Sequence, residues 1–226
     1  MENEFELIKF FKNWPKFFDY ESKLLQYKID GEIGFNLFLY RNVYESYASI
    51  SLRNVNDLFI FDIGIKNVNE IKVIDSKMNI NFSENGNIIV SPGPIFTVSL
   101  EMPQYGKKDL ETIKCNEIDL IELFSSVPIV MDKETNVFQY QSIDLKDFIV
   151  SLFFSANENY SIVSLIYQSS NIQVLYLRIN NVEKIEAINE QTNKCLKIYS
   201  KDNNEPFLIN FRPNVFLQVG LNNNNE

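Results

Sequence analysis

The chain has 226 residues, with 21 Lys and Arg against 30 Asp and Glu, a formal net charge of −9 and no His. Because binding to a phosphate backbone requires clustered Lys and Arg, this balance argues against a nucleic-acid partner, and without His a Ser-His-Asp or Cys-His nucleophile within the chain is excluded. Hydrophobic residues make up 45% and charged residues 23%, which is typical of a folded globular protein with a sizeable core.

The first predicted element is a short amphipathic helix at residues 4–14, "EFELIKFFKNW". Its apolar residues recur at helical spacing from Phe5 to Trp14, and Pro15 enforces a stop. This end of the chain is acidic where a signal peptide is basic, and no apolar run approaches the length of a membrane span. We therefore expect no cleaved signal and no membrane contact.

Short segments rich in Ile, Val and aromatic residues follow, separated by clusters of Asn, Asp, Gly and Pro. The gaps are too short for crossover helices, so antiparallel hairpins are expected, with Asn85-Gly86 as the strongest turn signal. The strands predicted in this half occupy residues 22–29, 33–40, 46–52, 58–65, 71–76, 78–83, 87–91 and 95–100.

A polar stretch at residues 103–117 predicts a linker, and a second short helix is expected at residues 117–127, ended by Pro128. The strands predicted after it occupy residues 136–143, 147–154, 161–168, 172–179, 184–188, 195–200, 206–211 and 215–221. The order of elements therefore repeats that of the first half.

A shift of 113 residues also aligns identical residues in the two halves. The aligned pairs are Pro15 and Pro128, Asp19 and Asp132, Glu21 and Glu134, Gln26 and Gln139, and Tyr27 and Tyr140. Further matches follow at shifts of 114 to 115, such as Ile29-Asp30 with Ile143-Asp144 and "NVNEI" at residues 67–71 with "NVEKI" at 181–185. Register sustained over a whole half in this way, with small insertions at predicted turns, indicates a duplicated domain. The predicted fold class is α+β and strand-dominated, with tandem repeats at residues 1–106 and 107–221 and a disordered tail at residues 222–226.

The paired carboxylates of this repeat, Asp19 with Glu21 and Asp132 with Glu134, have two interpretations. As residues two apart on a strand they would share a face and hold a divalent cation or act as an acid and base pair. Nothing nearby supplies a third ligand, so we favour a structural role in which each Asp accepts backbone N–H bonds at the turn from helix to strand and each Glu is solvated. No catalytic residue, metal site or cofactor is predicted.

The two cysteines are too few for a disulfide framework and lack the spacing of a zinc site, which suits a reduced, cytoplasmic compartment. Cys115 falls in the polar linker and would be accessible, whereas Cys195 alternates with apolar residues and is expected to be packed.

Aromatic residues are abundant, with 19 Phe and 11 Tyr. We expect most of the cluster at residues 10–18 to be core, because such a patch left exposed would favour aggregation. Tyr40, Tyr44 and Tyr47 are placed in a polar loop, where with Glu45 they would contact a partner or, alternatively, pack on the sheet edge.

Three segments of the first half are distinctive: "WPKFFDYESKLL" at residues 14–25, "ASISLRNVNDLFIF" at 48–61 and "NGNIIVSPGPIFTVSLE" at 85–101. Through these segments the first half resembles the immunity protein 50 family of bacterial polymorphic toxin clusters. Phe17, Asp19 and Glu21 occupy matching places, whereas Phe18 stands where that family often has His. The resemblance implies a small α+β domain that binds and neutralises a cognate toxin.

The sequence thus predicts a monomeric, non-enzymatic cytoplasmic immunity protein whose partner is a toxin protein, with acidic residues meeting a basic toxin surface. The predicted partner-binding residues are Glu21, Glu134, Tyr44, Glu45 and Tyr47. Two alternatives stay open: a scaffold that self-associates through strand edges, and a metal-dependent hydrolase that uses the Asp-x-Glu pairs.

Overall fold

A computed structural model describes residues 4–19, 24–41, 46–82, 86–102, 111–132, 134, 136–142, 145, 147–191, 193–211 and 215–221. The chain divides into two compact units. The first comprises Met1–Ser99 together with Gln218–Glu226, and the second comprises Leu100–Leu217. The predicted disordered tail at residues 222–226 lies outside the described residues.

The first unit opens with one helix that is followed by antiparallel strands. Strands β1 to β5 form a meander in chain order, and β6, β7 and β8 form a second one. The elements are α1 Glu4–Phe11, β1 Lys16–Asp19, β2 Leu24–Ile29, β3 Ile33–Arg41, β4 Ser46–Asn54, β5 Phe59–Lys66, β6 Val68–Ile74, β7 Lys77–Phe82 and β8 Gly86–Ser91. The next strand, β9 Thr97–Glu101, begins in this unit and ends in the second.

The second unit is built in the same order. Strands β11 to β15 form a meander, β16, β17 and β18 form another, and β10 pairs in parallel with β16. The elements are β10 Lys114–Cys115, α2 Glu117–Phe124, β11 Ile129–Asp132, β12 Val137–Gln141, β13 Phe148–Ser155, β14 Tyr160–Tyr167, β15 Ile172–Ile179, β16 Val182–Asn189, β17 Lys194–Ser200 and β18 Phe207–Asn210. The last strand, β19 Phe216–Leu221, begins in this unit and ends in the segment Gln218–Glu226, which belongs to the first.

Period-two alternation of apolar residues produces the core, because successive side chains of a strand point to opposite faces. In β7, for example, Met78, Ile80 and Phe82 are fully buried while the residues between them are partly exposed. The helix adds an aromatic layer to each unit. Phe11 stacks on Tyr27 with ring centroids 4.9 Å apart, and Phe124 lies 5.6 Å from Tyr140.

The two units share irregularities as well as element order. The β1–β2 pair has a register shift between Phe17 and Asp19. The β11–β12 pair has one between Val130 and Asp132, which are the residues 113 positions later. A second shift follows Leu52 in β4–β5, and its counterpart follows Leu165 in β14–β15. Bulges are specific features of a strand pair and are conserved within families. Matching bulges are therefore expected if the two units are copies of one domain.

Each predicted strand overlaps an observed one, and both helices form. The strand-dominated, antiparallel character of the prediction is therefore confirmed, while the tandem repeat stays a prediction. Three short strands were missed: β1, β10 and β11. The segment at residues 16–19, interpreted as a turn from helix to strand, is β1 itself, and the residues corresponding to it in the second unit form β11.

Both helices end earlier than predicted, after eight residues each. Lys12 follows α1 with φ 52° and Ser125 follows α2 with φ 54°, so a left-handed residue terminates each helix. Trp14 consequently lies beyond the helix. Its side chain is 74% exposed, whereas Phe11 of the same aromatic cluster is buried. The side chains of Phe17 and Phe18 lie outside the described part of the structure, so the expectation that most of the cluster is core stays a prediction.

Candidate partner-binding surfaces

Three of the predicted partner-binding residues, Glu21, Tyr44 and Glu45, lie outside the described residues. The other two are in different units. Glu134 is exposed in the turn between β11 and β12, and Tyr47 belongs to β4 of the first unit.

The turn at Glu134 shows what the Asp-x-Glu pair of the second unit does. The backbone N–H of Glu134 donates to Asp132 Oδ1 over 2.8 Å, and Asn157 Nδ2 donates to the Glu134 carbonyl over 3.2 Å. This is the Asx-type bond expected of Asp132, but it closes the turn between two strands, not the turn from helix to strand. The side chains of Asp19 and Glu21 lie outside the described part of the structure.

Tyr47 is a half-buried strand residue, and Tyr40 is its partner across the β3–β4 pair. Both residues are therefore outside the polar loop in which the sequence placed them. The Tyr47 ring lies over Gly64 on the neighbouring strand: a Cβ added at Gly64 would be 2.6 Å from Tyr47 Oη and 3.3 Å from two ring carbons. Tyr47 thus packs on the sheet.

The first unit has a concavity of about 340 Å³ on the face of β2 opposite Tyr27, which we term the first concavity. Its lining includes the cations Lys16, Lys28 and Arg53 and the carboxylate Asp57. The amides of Asn13, Gln26 and Asn36 and the ring of Trp14 complete it. A cation-rich surface is therefore present in a chain whose net charge is −9.

Hydrogen bonds and ion pairs hold these side chains in place. Gln26 Nε2 donates to Asn36 Oδ1 over 3.3 Å, and Lys28 Nζ lies 2.7 Å from Asp30 Oδ1. The hydrogen bond with Asp30, followed by its charge, raises the pKa of Lys28, so this amine is cationic at neutral pH.

Arg53 is the most constrained cation of the first concavity. Its Nη1 donates to Asp57 Oδ2 over 2.9 Å, and its guanidinium carbon lies 3.9 Å from the centroid of the Phe59 ring. Stacking and an ion pair together fix the plane of a guanidinium. Nε is buried and has no hydrogen-bond partner among the described residues.

The second unit has a concavity of about 570 Å³ in the corresponding place, which we term the second concavity. It is lined by uncharged side chains, including Ser126, Val127, Ile129, Gln139 and Gln141. Val127 is 74% exposed and Ile129 59% exposed. The lining thus combines exposed apolar side chains with amides and hydroxyls and contains no charged residue. The centres of protein–protein interfaces are likewise apolar and depleted of charged residues.

Six lining positions of the two concavities match at the shift of 113, whereas Arg53 and Asp57 of the first have no counterpart in the lining of the second. The matching pairs are Asn13 and Ser126, Trp14 and Val127, Lys16 and Ile129, Gln26 and Gln139, Lys28 and Gln141, and Asn36 and Ile149. Strand pairing agrees with this match, because Lys16 lies opposite Gln26 and Ile129 opposite Gln139. The same surface thus carries cations in one unit and apolar groups in the other.

β2 and its counterpart β12 each carry a buried tyrosine on the face opposite the concavity. Tyr27 and Tyr140 are fully buried, and neither hydroxyl has a hydrogen-bond partner among the described residues. Burial raises the pKa of each phenol to about 12, with a smaller contribution from Glu4 at Tyr27 and from Glu117 at Tyr140. These tyrosines belong to the core.

Both cysteines are at least partly buried. Cys195 is buried as predicted, whereas Cys115 is half-buried in β10 and not in an accessible linker. Burial raises the pKa of both thiols. Within the described ranges, no group of three or more His, Cys, Asp or Glu side chains could hold a metal ion, and no helix there is long and apolar enough to cross a membrane.

The sequence predicted neither concavity. Trp14 is the residue that could have been found, because the residue before a proline is disfavoured in a helix, and Pro15 therefore places Trp14 outside α1. The cationic character of the first concavity depends on Lys16, Lys28 and Arg53, which come from three strands and share no sequence pattern.

Comparisons with known proteins give a structural similarity but no match in sequence. No protein-family model and no curated protein matches the sequence. A solved structure that resembles part of the chain is a contact-dependent growth inhibition toxin–immunity protein complex from Klebsiella pneumoniae 342. The alignment has 20% identity and a TM-score of 0.39, and it covers 48% of this chain and 94% of that chain. At this identity and TM-score the similarity supports no conclusion about function.

Proposed function

We propose that the protein is a non-enzymatic binding protein of the immunity class, which neutralises a cognate bacterial toxin by covering part of its surface. The observation that supports binding is the second concavity, where Val127 and Ile129 are exposed among uncharged polar side chains. The toxin as partner follows from the resemblance of residues 14–25, 48–61 and 85–101 to the immunity protein 50 family. The proposed compartment is the cytoplasm.

Exposed apolar side chains at a concave surface favour a protein partner because their burial is the principal source of association free energy. Removing about 100 Å² of apolar surface from water is worth about 2.5 kcal/mol. Ile129 is the first residue of β11, and Val127 lies two residues before it. Among the described strands, β11 pairs only with β12. Val127 and Ile129 are therefore presented at the margin of a sheet, where a partner has access.

The predicted residues remain part of this proposal. Glu134 is exposed and follows β11, which carries Ile129, so it is a candidate for the rim of an interface centred on the second concavity. Glu21, Glu45 and Tyr44 are proposed on sequence grounds alone. Tyr47 packs over Gly64 and is the weakest of the five candidates.

The test is co-expression with candidate bacterial toxin domains. We expect rescue of growth by the wild-type protein and co-elution of the two chains in size-exclusion chromatography. Ile129→Ser should weaken the complex by about tenfold, since hot-spot truncation commonly costs more than 1 kcal/mol.

Ile118→Ser is the matched control. Ile118 is 66% exposed, comparable with Ile129, but it lies on α2 outside the second concavity. The control variant should bind as the wild type does. Failure of the wild-type protein to rescue growth or to form a complex would contradict the proposed function, and equal binding by the two variants would move the interface elsewhere.

The scaffold alternative rests on strand edges. In the first unit β6 pairs only with β7 among the described strands, and an open edge can template further pairing. Glu70 and Lys72 on this strand form an ion pair of 2.7 Å, and charged edge residues oppose strand addition. We therefore expect a monomer. A mass that rises with concentration in light scattering would favour the scaffold.

Duplication of an ancestral unit is also proposed. Matching bulges, matching concavities and the matching pairs Phe11–Tyr27 and Phe124–Tyr140 support it. The first unit, Met1–Ser99 with Gln218–Glu226, and the second unit, Leu100–Leu217, would then be diverged copies of one binding module.

A further inference from the structure

We propose that the first concavity binds a carboxylate side chain presented by an extended, acidic segment of a protein partner. This deepens the proposed function, on which it rests only for the identification of the partner as a toxin. Three features of the concavity support this: the charges that line it, the hydrogen-bond donors that surround them, and a ring that would pack on the stem of the bound side chain.

Charge complementarity is the first step. Three cations and one carboxylate line the concavity, although acidic residues outnumber basic ones in the whole chain. Asp30, which pairs with Lys28, is 80% exposed and lies outside the lining. Because exposed ion pairs contribute only about 0 to 1 kcal/mol, an incoming carboxylate can share Lys28 and Arg53 with Asp30 and Asp57 at little cost.

Hydrogen-bond geometry is the second step. Arg53 offers a planar fork of donors that matches a carboxylate, and its orientation is already fixed by Phe59 and Asp57. The Gln26 amide donates to Asn36, so the amides of the wall are ordered before a ligand arrives. Pre-ordered donors lower the entropic cost of binding.

Size and surroundings distinguish an acidic peptide from a nucleic acid. A volume of about 340 Å³ accommodates one or two side chains, which suits Glu or Asp with a neighbour, and the exposed ring of Trp14 offers an apolar surface for their aliphatic parts. A nucleic acid presents many phosphates in a row, and a chain of net charge −9 repels such a polyanion beyond the concavity.

The second concavity shows that the fold tolerates the loss of these cations. Ile129 and Gln141 stand at the places of Lys16 and Lys28, and the surrounding strand pairing is the same. Lys16 is exposed and the Lys28 side chain is 47% exposed, so their replacement by Gln should not affect folding. This permits a variant that removes charge and keeps the unit intact.

The experiment uses Trp14, which is the single Trp of the chain and lines the first concavity. The full-length protein is titrated with a pentaglutamate peptide blocked at both ends, with the matching pentaglutamine peptide, and with a duplex oligonucleotide. Tryptophan emission and calorimetry are followed at about 0.01 M and about 1 M salt, where the Debye length is about 30 Å and about 3 Å.

Lys16→Gln with Lys28→Gln is compared with the control pair Lys72→Gln with Lys77→Gln. The control removes the same charge: Lys72 is ion-paired with Glu70 two residues away, as Lys28 is with Asp30, and Lys77 is exposed like Lys16. We expect saturable binding of pentaglutamate at low salt, about tenfold weaker in the first double variant and unchanged in the control.

Equal affinity for pentaglutamate and pentaglutamine, equal affinity of the two double variants, or tighter binding of the oligonucleotide would each overturn the assignment. The titration requires no toxin. If pentaglutamate binds as expected and co-expression with the toxin fails, the proposed function falls and the carboxylate site stands. If the toxin binds and pentaglutamate does not, the reverse holds.

Discussion

Replacing Tyr27 or Tyr140 by Phe should stabilise the protein, although each change removes a polar group from an aromatic core. Both side chains are fully buried, and neither hydroxyl has a hydrogen-bond partner among the described residues. Leaving a buried hydroxyl unpaired costs about 1 to 3 kcal/mol, whereas removing it leaves only a small space against the stacked ring. At neutral pH we expect each variant to gain about 1 kcal/mol in the free energy of unfolding.

The effect should increase with pH, and its sign follows from the raised pKa of each phenol. A pKa of about 12 in the folded chain against 10.0 for a free phenol means that the unfolded state loses its proton first. Wild-type stability is therefore fully present below pH 10 and is lost as the pH rises toward 12. Two pKa units correspond to about 3 kcal/mol per tyrosine, and about half of this is lost at pH about 11.

Urea unfolding followed by circular dichroism at neutral pH and near pH 11 measures both effects, with stability taken from the midpoint at constant slope. Because Tyr27 and Tyr140 lie in different units, the two variants are independent replicates. Tyr199→Phe is the control. The Tyr199 hydroxyl donates to Glu186 Oε2 over 2.9 Å, so removing it should lower the free energy of unfolding by about 1 kcal/mol at neutral pH.

Two results would refute the reasoning. If Tyr27→Phe and Tyr140→Phe are destabilised at neutral pH as much as Tyr199→Phe, the buried hydroxyls are satisfied. If the difference between variant and wild type stays constant up to pH 11, burial does not raise the pKa of these tyrosines.

Three further predictions concern backbone geometry, a buried amide and thiol reactivity. Gly86→Ala should lower the free energy of unfolding by more than about 2 kcal/mol, because a Cβ there would lie 2.8 Å from the carbonyl oxygen of Phe82. Gly31→Ala is the control: the nearest atom to its Cβ would be 3.5 Å away, so its free energy of unfolding should change little in the same urea titration. Asn159→Ala should lower the free energy of unfolding by about 2 to 3 kcal/mol. Asn159 Nδ2 donates to the carbonyls of Glu111 (2.7 Å) and Val182 (3.2 Å), and the residue has a φ of 55°, which Ala adopts less readily. The exposed Asn171, with φ 53°, is the control for the backbone part alone: a loss at Asn171→Ala as large as at Asn159→Ala would show that the amide bonds contribute nothing. Both thiols should react slowly with iodoacetamide at pH 7, because burial raises the pKa of each, and faster alkylation of native Cys195 than of Cys115 would contradict the observed burial.

Local pattern was sufficient for the secondary structure. Alternating apolar residues with punctuation by Asn, Asp, Gly and Pro located every long strand, because period-two burial and turn chemistry are properties of a few neighbouring residues. The short strands were missed for the same reason. β10 has two residues and exists only through its parallel pairing with β16, about 70 residues away in sequence, and the four-residue strands β1 and β11 were interpreted as turns.

The candidate sites depended on tertiary structure. The shift of 113 was visible in the sequence, and it also relates the two concavities, but only strand pairing brings Lys28 and Arg53 to one surface. The helix ended at Phe11 because Lys12 adopts a left-handed conformation, which no apolar periodicity encodes. The sequence by itself determined which segments are strands and which faces are apolar. Tertiary structure decided which outer faces meet to form a concavity, because such contacts join residues that are distant along the chain and carry no local signal.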